Sequence, residues 1–189
     1  MASIWVESLG RGFEAAFDLL AAAVNDCTSE QWETPMWPVA PLQADHPFVG
    51  PDWKPIADPE QRRDLAERWV RRRSTPWSVA WHALETLDYD LSGELGPWSP
   101  PPPFTGHPHW RDLPSLEAAW SALQIAGYID YCRERARTTL DGMTDEKAAM
   151  PLPPAHRYGG QPYAWIISGA MGHTTEHAAQ IRQFITGCA

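Results

Sequence analysis

Apolar residues recur at three- to five-residue steps along much of the chain, and this spacing is typical of amphipathic helices. It predicts long helices over about 2–25, 76–91, 115–140 and 162–186, and a shorter, strongly charged helix over 58–73. No segment alternates apolar and polar residues over the length of a strand between turn signals. The pattern therefore predicts an all-α fold.

Two stretches rich in proline and tryptophan separate these helices, over 34–55 and 96–114. Proline fixes φ and removes a backbone donor, so these stretches are expected to be ordered loops and not helices. Loops of this composition favour a lid packed on a helical core. A platform that binds proline-rich peptides is the alternative.

A short pattern, T-x-E-x-x-x-x-P, begins at Thr28 after the first long helix and again at Thr144 after the third. Each copy leads through a loop to a helix that contains tryptophan and histidine. The repeat suggests two helix–loop–helix halves, and so an up-and-down four-helix bundle with long inter-helix loops.

Length and composition favour one globular domain over 1–189, with a formal net charge of −9. An acidic chain is not expected to bind nucleic acid or an anionic membrane surface. No stretch is apolar enough for a membrane span, and the start of the chain lacks the pattern of a secretory signal. Three widely spaced cysteines, Cys27, Cys132 and Cys188, are typical of free thiols, which predicts a reducing, cytoplasmic location.

The candidate chemistry lies in the last helix, where His173 and His177 are four residues apart. On a helical wheel both belong to an apolar stripe and are expected to face the bundle interior. Without partners, burying two imidazoles would cost about 1–3 kcal/mol each. A divalent metal ion would remove that cost, because an i,i+4 pair of imidazoles can reach one ion. Polar partners on a facing helix, such as Asp88, are the alternative.

A third ligand would come from the helix over 76–91, which offers His82 and Glu85. The wheel places Glu85 at the edge of that helix's apolar stripe and His82 almost opposite it. Helical geometry therefore favours Glu85, although imidazole is the better metal ligand. A surface carboxylate without a metal role is the alternative for Glu85.

The motif His173-x-x-x-His177-x-x-Gln180-Ile181 and the triplet Trp77-Ser78-Val79 together resemble the DinB/YfiT-like superfamily of metal-binding four-helix bundles. In that superfamily three histidines hold a divalent ion, and the third stands eight residues after the tryptophan. Glu85 occupies that position here. The resemblance therefore implies a site of His173, His177 and Glu85, unless His82 substitutes from one turn earlier.

The resemblance also implies a function and an assembly. Members of the superfamily bind nickel or zinc, and some are transferases or isomerases that use a small thiol such as mycothiol or bacillithiol. A metal-dependent hydrolase or small-thiol transferase that forms a homodimer is therefore expected. A non-catalytic, stress-associated bundle with a degenerate metal site is the alternative. No pattern in the sequence identifies a catalytic residue or a substrate.

Overall fold

The computed structural model describes residues 4–37, 58–60, 63, 72–92, 98–106, 118–154, 156 and 158–187. Within these residues six helices are complete, residues 59–60, 63 and 72–73 are also helical, and there is no strand beyond an isolated bridge between Pro151 and Pro162. The all-α prediction is confirmed for this part of the chain. The helices are α1 (Ile4–Asp26), α2 (Ser29–Trp32), α3 (Pro76–Ser92), α4 (Ala122–Asp141), α5 (Asp145–Ala149) and α6 (Tyr163–Gly187).

Helix α4 begins later than the apolar pattern predicted. Residues 118–121 are not helical, because Ser121 caps the helix. Its hydroxyl accepts from the backbone N–H of Gln124 at 3.2 Å, and the Gln124 side chain accepts from the Ser121 N–H at 2.9 Å. This reciprocal box satisfies two donors that a longer helix would have used internally. Most of the expected helix over 58–73 and of the proline-rich stretches lies outside the described residues.

The repeated threonine pattern corresponds to a repeated local structure. Thr28 caps α2 and Thr144 caps α5, and each hydroxyl accepts a backbone N–H three residues later at 3.2 Å. An N-cap hydroxyl of this kind stabilises a helix start by about 1 kcal/mol. The two short helices therefore owe their position to the same residue type at the same place in the pattern.

Four long helices pack around one apolar core. Helix α1 packs against α4 and α6, and α3 packs against the same two helices from the other side. The core takes large side chains from all four, including Phe17, Trp81, Ile129 and Ile167. Among the helices that the structure describes, none combines the length and apolar character needed to cross a bilayer.

The described part of the second proline-rich stretch, residues 98–106, packs onto this core. Phe104 is only 1% exposed. Its ring centroid lies 4.7 Å from that of Trp120 and 4.6 Å from that of Tyr128. For this segment the expectation of a loop packed on the helical core is confirmed.

Replacing Phe104 by alanine is therefore expected to lower the free energy of unfolding by about 3–5 kcal/mol, as for other fully buried phenylalanines. Urea denaturation followed by circular dichroism measures the loss. Leu123→Ala is the matched control, because that side chain is 83% exposed and its removal should change stability by less than about 0.5 kcal/mol. Equal effects of the two substitutions would contradict the packing described for the loop.

Candidate metal centre

Helix α6 brings His173 and His177 into direct contact. Their ring centroids are 4.3 Å apart, the rings are nearly perpendicular, and their Nε2 atoms are 2.9 Å apart. Both rings are half-buried at the edge of the apolar face, where their neighbours Thr174 and Ala178 are fully buried. The expected projection toward the interior is thus found only in part, because the rings flank the core without entering it.

His82 of α3 completes a group of three imidazoles. Its ring lies edge-on to His173 and to His177, with centroid distances of 5.0 and 5.2 Å. One nitrogen from each of the three rings lies within 4.8 Å of the other two. Ligands about 2.1 Å from one ion are at most about 4.2 Å apart. Small side-chain adjustments would therefore let all three nitrogens reach one metal ion.

Glu85 is not part of this group of ligand atoms, which includes His82 instead. Glu85 lies on α3 one turn after His82 and is only 3% exposed. The geometry thus favours His82 as the third ligand, and the prediction of Glu85 stays a prediction that binding measurements can test.

The helical wheel misplaced His82 for a physical reason. A wheel orients a helix by assuming that one side faces water. No residue of α3 is exposed, since the helix is packed by its neighbours on most of its circumference. The side opposite the apolar stripe of α3 consequently faces α6 and not solvent.

Asp88 fixes the rotation of α3. Its carboxylate is fully buried and accepts from Tyr128 Oη and from Trp98 Nε1, both at 3.1 Å. The other carboxylate oxygen lies 2.9 Å from Arg135 Nε, as an ion pair whose N–H does not point at the oxygen. Burial raises the pKa of Asp88, and the charge of Arg135 and the two hydrogen bonds only partly offset that rise.

The contacts with Tyr128 and Arg135 bind α3 to α4 and leave His82 to face α6. They also bear on Asp88 as a polar partner for the histidine pair. Asp88 is committed to Tyr128, Trp98 and Arg135 and is not the polar partner of His173 and His177. Neither Tyr128 nor Arg135 was expected from the sequence, although a charged residue inside the apolar stripe of α3 indicated that some partner must exist.

The two described cysteines are poor nucleophiles. Burial raises the pKa of Cys27 to about 11 and the pKa of the fully buried Cys132 well above its ordinary value. Because the thiolate is the reactive form, neither side chain is activated at neutral pH. Cys188 lies outside the described residues.

Comparison with known proteins found no matching family model, no matching curated protein and no matching solved structure. The resemblance to the DinB/YfiT-like superfamily accordingly rests on the sequence motifs and stays a prediction. The grouping of the three histidines does not depend on that resemblance, because it is observed in the structure.

The state of the cysteines can be checked by thiol labelling. In a Cys188→Ser variant, a disulfide reagent such as Ellman's reagent should modify the native protein only slowly at neutral pH, and both remaining thiols at once after denaturation. Rapid labelling of Cys27 or Cys132 in the folded protein would show that one of them is accessible and activated.

Proposed function

We propose that this protein binds one divalent metal ion through His82, His173 and His177, and that it is a metal-dependent protein of the DinB/YfiT-like type with an up-and-down four-helix bundle. The observation that carries the proposal is the approach of three imidazole nitrogens from two helices to within 4.8 Å of one another. Three mutually edge-on rings with one nitrogen each this close together are an arrangement that apolar packing alone does not require.

The donor set favours particular ions. Neutral imidazole suits zinc and nickel better than magnesium or calcium, which prefer oxygen ligands. Three protein ligands leave at least one coordination position for another molecule. A bound ion of this kind lowers the pKa of a thiol or a water molecule at the open position and so supplies a nucleophile at neutral pH.

The burial of the histidines and the state of the cysteines indicate which reactions the site could support. All three histidines are half-buried, so part of the group remains in contact with solvent. The described cysteines are not activated, so they do not supply the nucleophile. The reactions that suit these features are hydrolysis and transfer to a small thiol that comes from solution.

The alternative is a structural role. A single hydrogen bond between the two Nε2 atoms also fits their separation of 2.9 Å. In that case the pair would stabilise α6 without any ion, and the protein would be a non-catalytic bundle. Metal binding distinguishes the two functions directly.

Calorimetric titration of tag-free protein with zinc or nickel should give one ion per chain. His82→Ala and His177→Ala should each abolish stoichiometric binding, because each removes one of three ligands. The variant Glu85→Gln should keep most of the affinity. His156→Ala is the matched control, since this buried histidine stacks on Tyr89, with centroids 5.6 Å apart, outside the group of three. Stronger loss with Glu85→Gln than with His82→Ala would make Glu85 the third ligand. Unchanged binding in all the variants would refute the site.

Metal affinity should also depend on pH. Only the neutral ring offers a lone pair, so protons compete with the ion and affinity falls as pH decreases through the ordinary histidine pKa of about 6.5. The affinity should therefore be severalfold lower at about pH 5.5 than at about pH 7. Thermal unfolding with and without zinc provides an independent readout, because an ion that binds only the folded state raises its stability. An affinity that does not change over this range would argue against imidazole ligands.

A further inference from the structure

Gln180 connects His177 to Glu176 on the surface of α6. Its side-chain oxygen lies 2.8 Å from Nδ1 of His177, and its side-chain nitrogen lies 3.4 Å from a carboxylate oxygen of Glu176. A glutamine amide has one accepting end and one donating end, whereas an ionised carboxylate can only accept. Glu176 therefore favours the orientation in which the NH₂ group of Gln180 points at it. The opposite orientation would place two accepting oxygens against each other.

This orientation decides the tautomer of His177. With the amide oxygen of Gln180 facing it, Nδ1 of His177 must carry a hydrogen and donate it. In a neutral ring Nε2 then carries a lone pair and no hydrogen. His177 is thus already in the form that presents Nε2 to a metal ion, before any ion arrives.

The tautomer of His173 follows from that of His177. The two Nε2 atoms are 2.9 Å apart, and a hydrogen bond at this distance needs one hydrogen between them. Because Nε2 of His177 has none, Nε2 of His173 must donate it in the metal-free protein when both rings are neutral. His173 therefore carries its hydrogen on Nε2, the nitrogen that lies beside Nε2 of His177.

From these contacts we infer that Gln180, oriented by Glu176, is a positioning residue that holds His177 as the Nδ1–H tautomer, and that metal binding requires a change of tautomer at His173 but not at His177. If Nε2 of His173 becomes a ligand, it gives up its proton and the buried Nδ1 takes one up, so the ring stays neutral and the proton count is unchanged. The statement about metal binding rests on the proposed function. The statement about the tautomers of the metal-free protein does not depend on it.

The first test is a long-range ¹H–¹⁵N NMR spectrum of the metal-free protein at about pH 8, a pH well above the reference pKa of histidine in model peptides. We expect a protonated Nδ1 and an unprotonated Nε2 for His177, and the reverse for His173. The reverse assignment, or rapid exchange of both rings between tautomers, would overturn the inference. This measurement needs no metal and no activity.

The second test uses variants of Gln180. Gln180→Leu removes the acceptor and should release the His177 tautomer, with metal affinity reduced about 10- to 100-fold, as for other groups that orient a ligand. Gln180→Glu keeps an acceptor at Nδ1 and should keep both the tautomer and most of the affinity. The matched control is Gln183→Leu, which changes an exposed glutamine on the same helix and should alter neither.

The outcomes separate this inference from the proposed function. If the wild-type protein binds no metal but has the stated tautomers, and Gln180→Leu disturbs them, the positioning role stands and the metal proposal falls. If the protein binds metal and Gln180→Leu changes neither tautomer nor affinity, the positioning role falls and the metal proposal stands. Loss of helicity in Gln180→Leu by circular dichroism would leave the wild-type spectrum and Gln180→Glu to decide.

Discussion

The buried carboxylate of Asp88 is the constraint on which the rest of the site depends. An uncompensated charge in an apolar core is costly, so Asp88 must keep its contacts with Tyr128, Trp98 and Arg135. Any rotation of α3 about its axis would break them. His82 lies about 120° around the helix from Asp88, so the contact that ties α3 to α4 also turns the imidazole toward α6. A polar interaction on one side of α3 thereby determines which side chain α3 presents to α6 on another side.

The histidine group and the described sulfur atoms lie in different environments. The three histidines are half-buried, whereas the described cysteines are held in their protonated form by burial. Thiolates are also strong ligands for zinc and nickel. Because the histidine group contains no cysteine, its donors are neutral. A bound ion would therefore keep more of its positive charge than it would with thiolate ligands.

Much of the helical framework could be predicted from the sequence because its signals are local. Pro76 follows Ser74 and Thr75 and starts α3 at the predicted residue, and α6 begins within a residue of its prediction. The start of α4 was missed because a local capping box at Ser121 outweighed the apolar pattern before it. The histidine pair was visible because its spacing lies within one helix. His82 was offered only as the alternative to Glu85, since a wheel cannot orient a helix that lacks an exposed side. The partners of Asp88 were not predicted, because they lie at least 10 and up to 47 residues away along the chain.

The histidine group joins two helices that are distant along the chain. His82 and His173 are separated by about 90 residues, and that segment includes α4, α5 and the loop with Phe104. A cross-link that persisted in the unfolded chain would cost it about 4–5 kcal/mol of chain entropy in the simplest treatment. An ion that is released on unfolding does not act in this way and stabilises the protein only through its affinity for the folded state. A bound ion would also join the two parts of the chain at one point. If the backbone were cut within the intervening segment, the ion would still hold the two pieces together there.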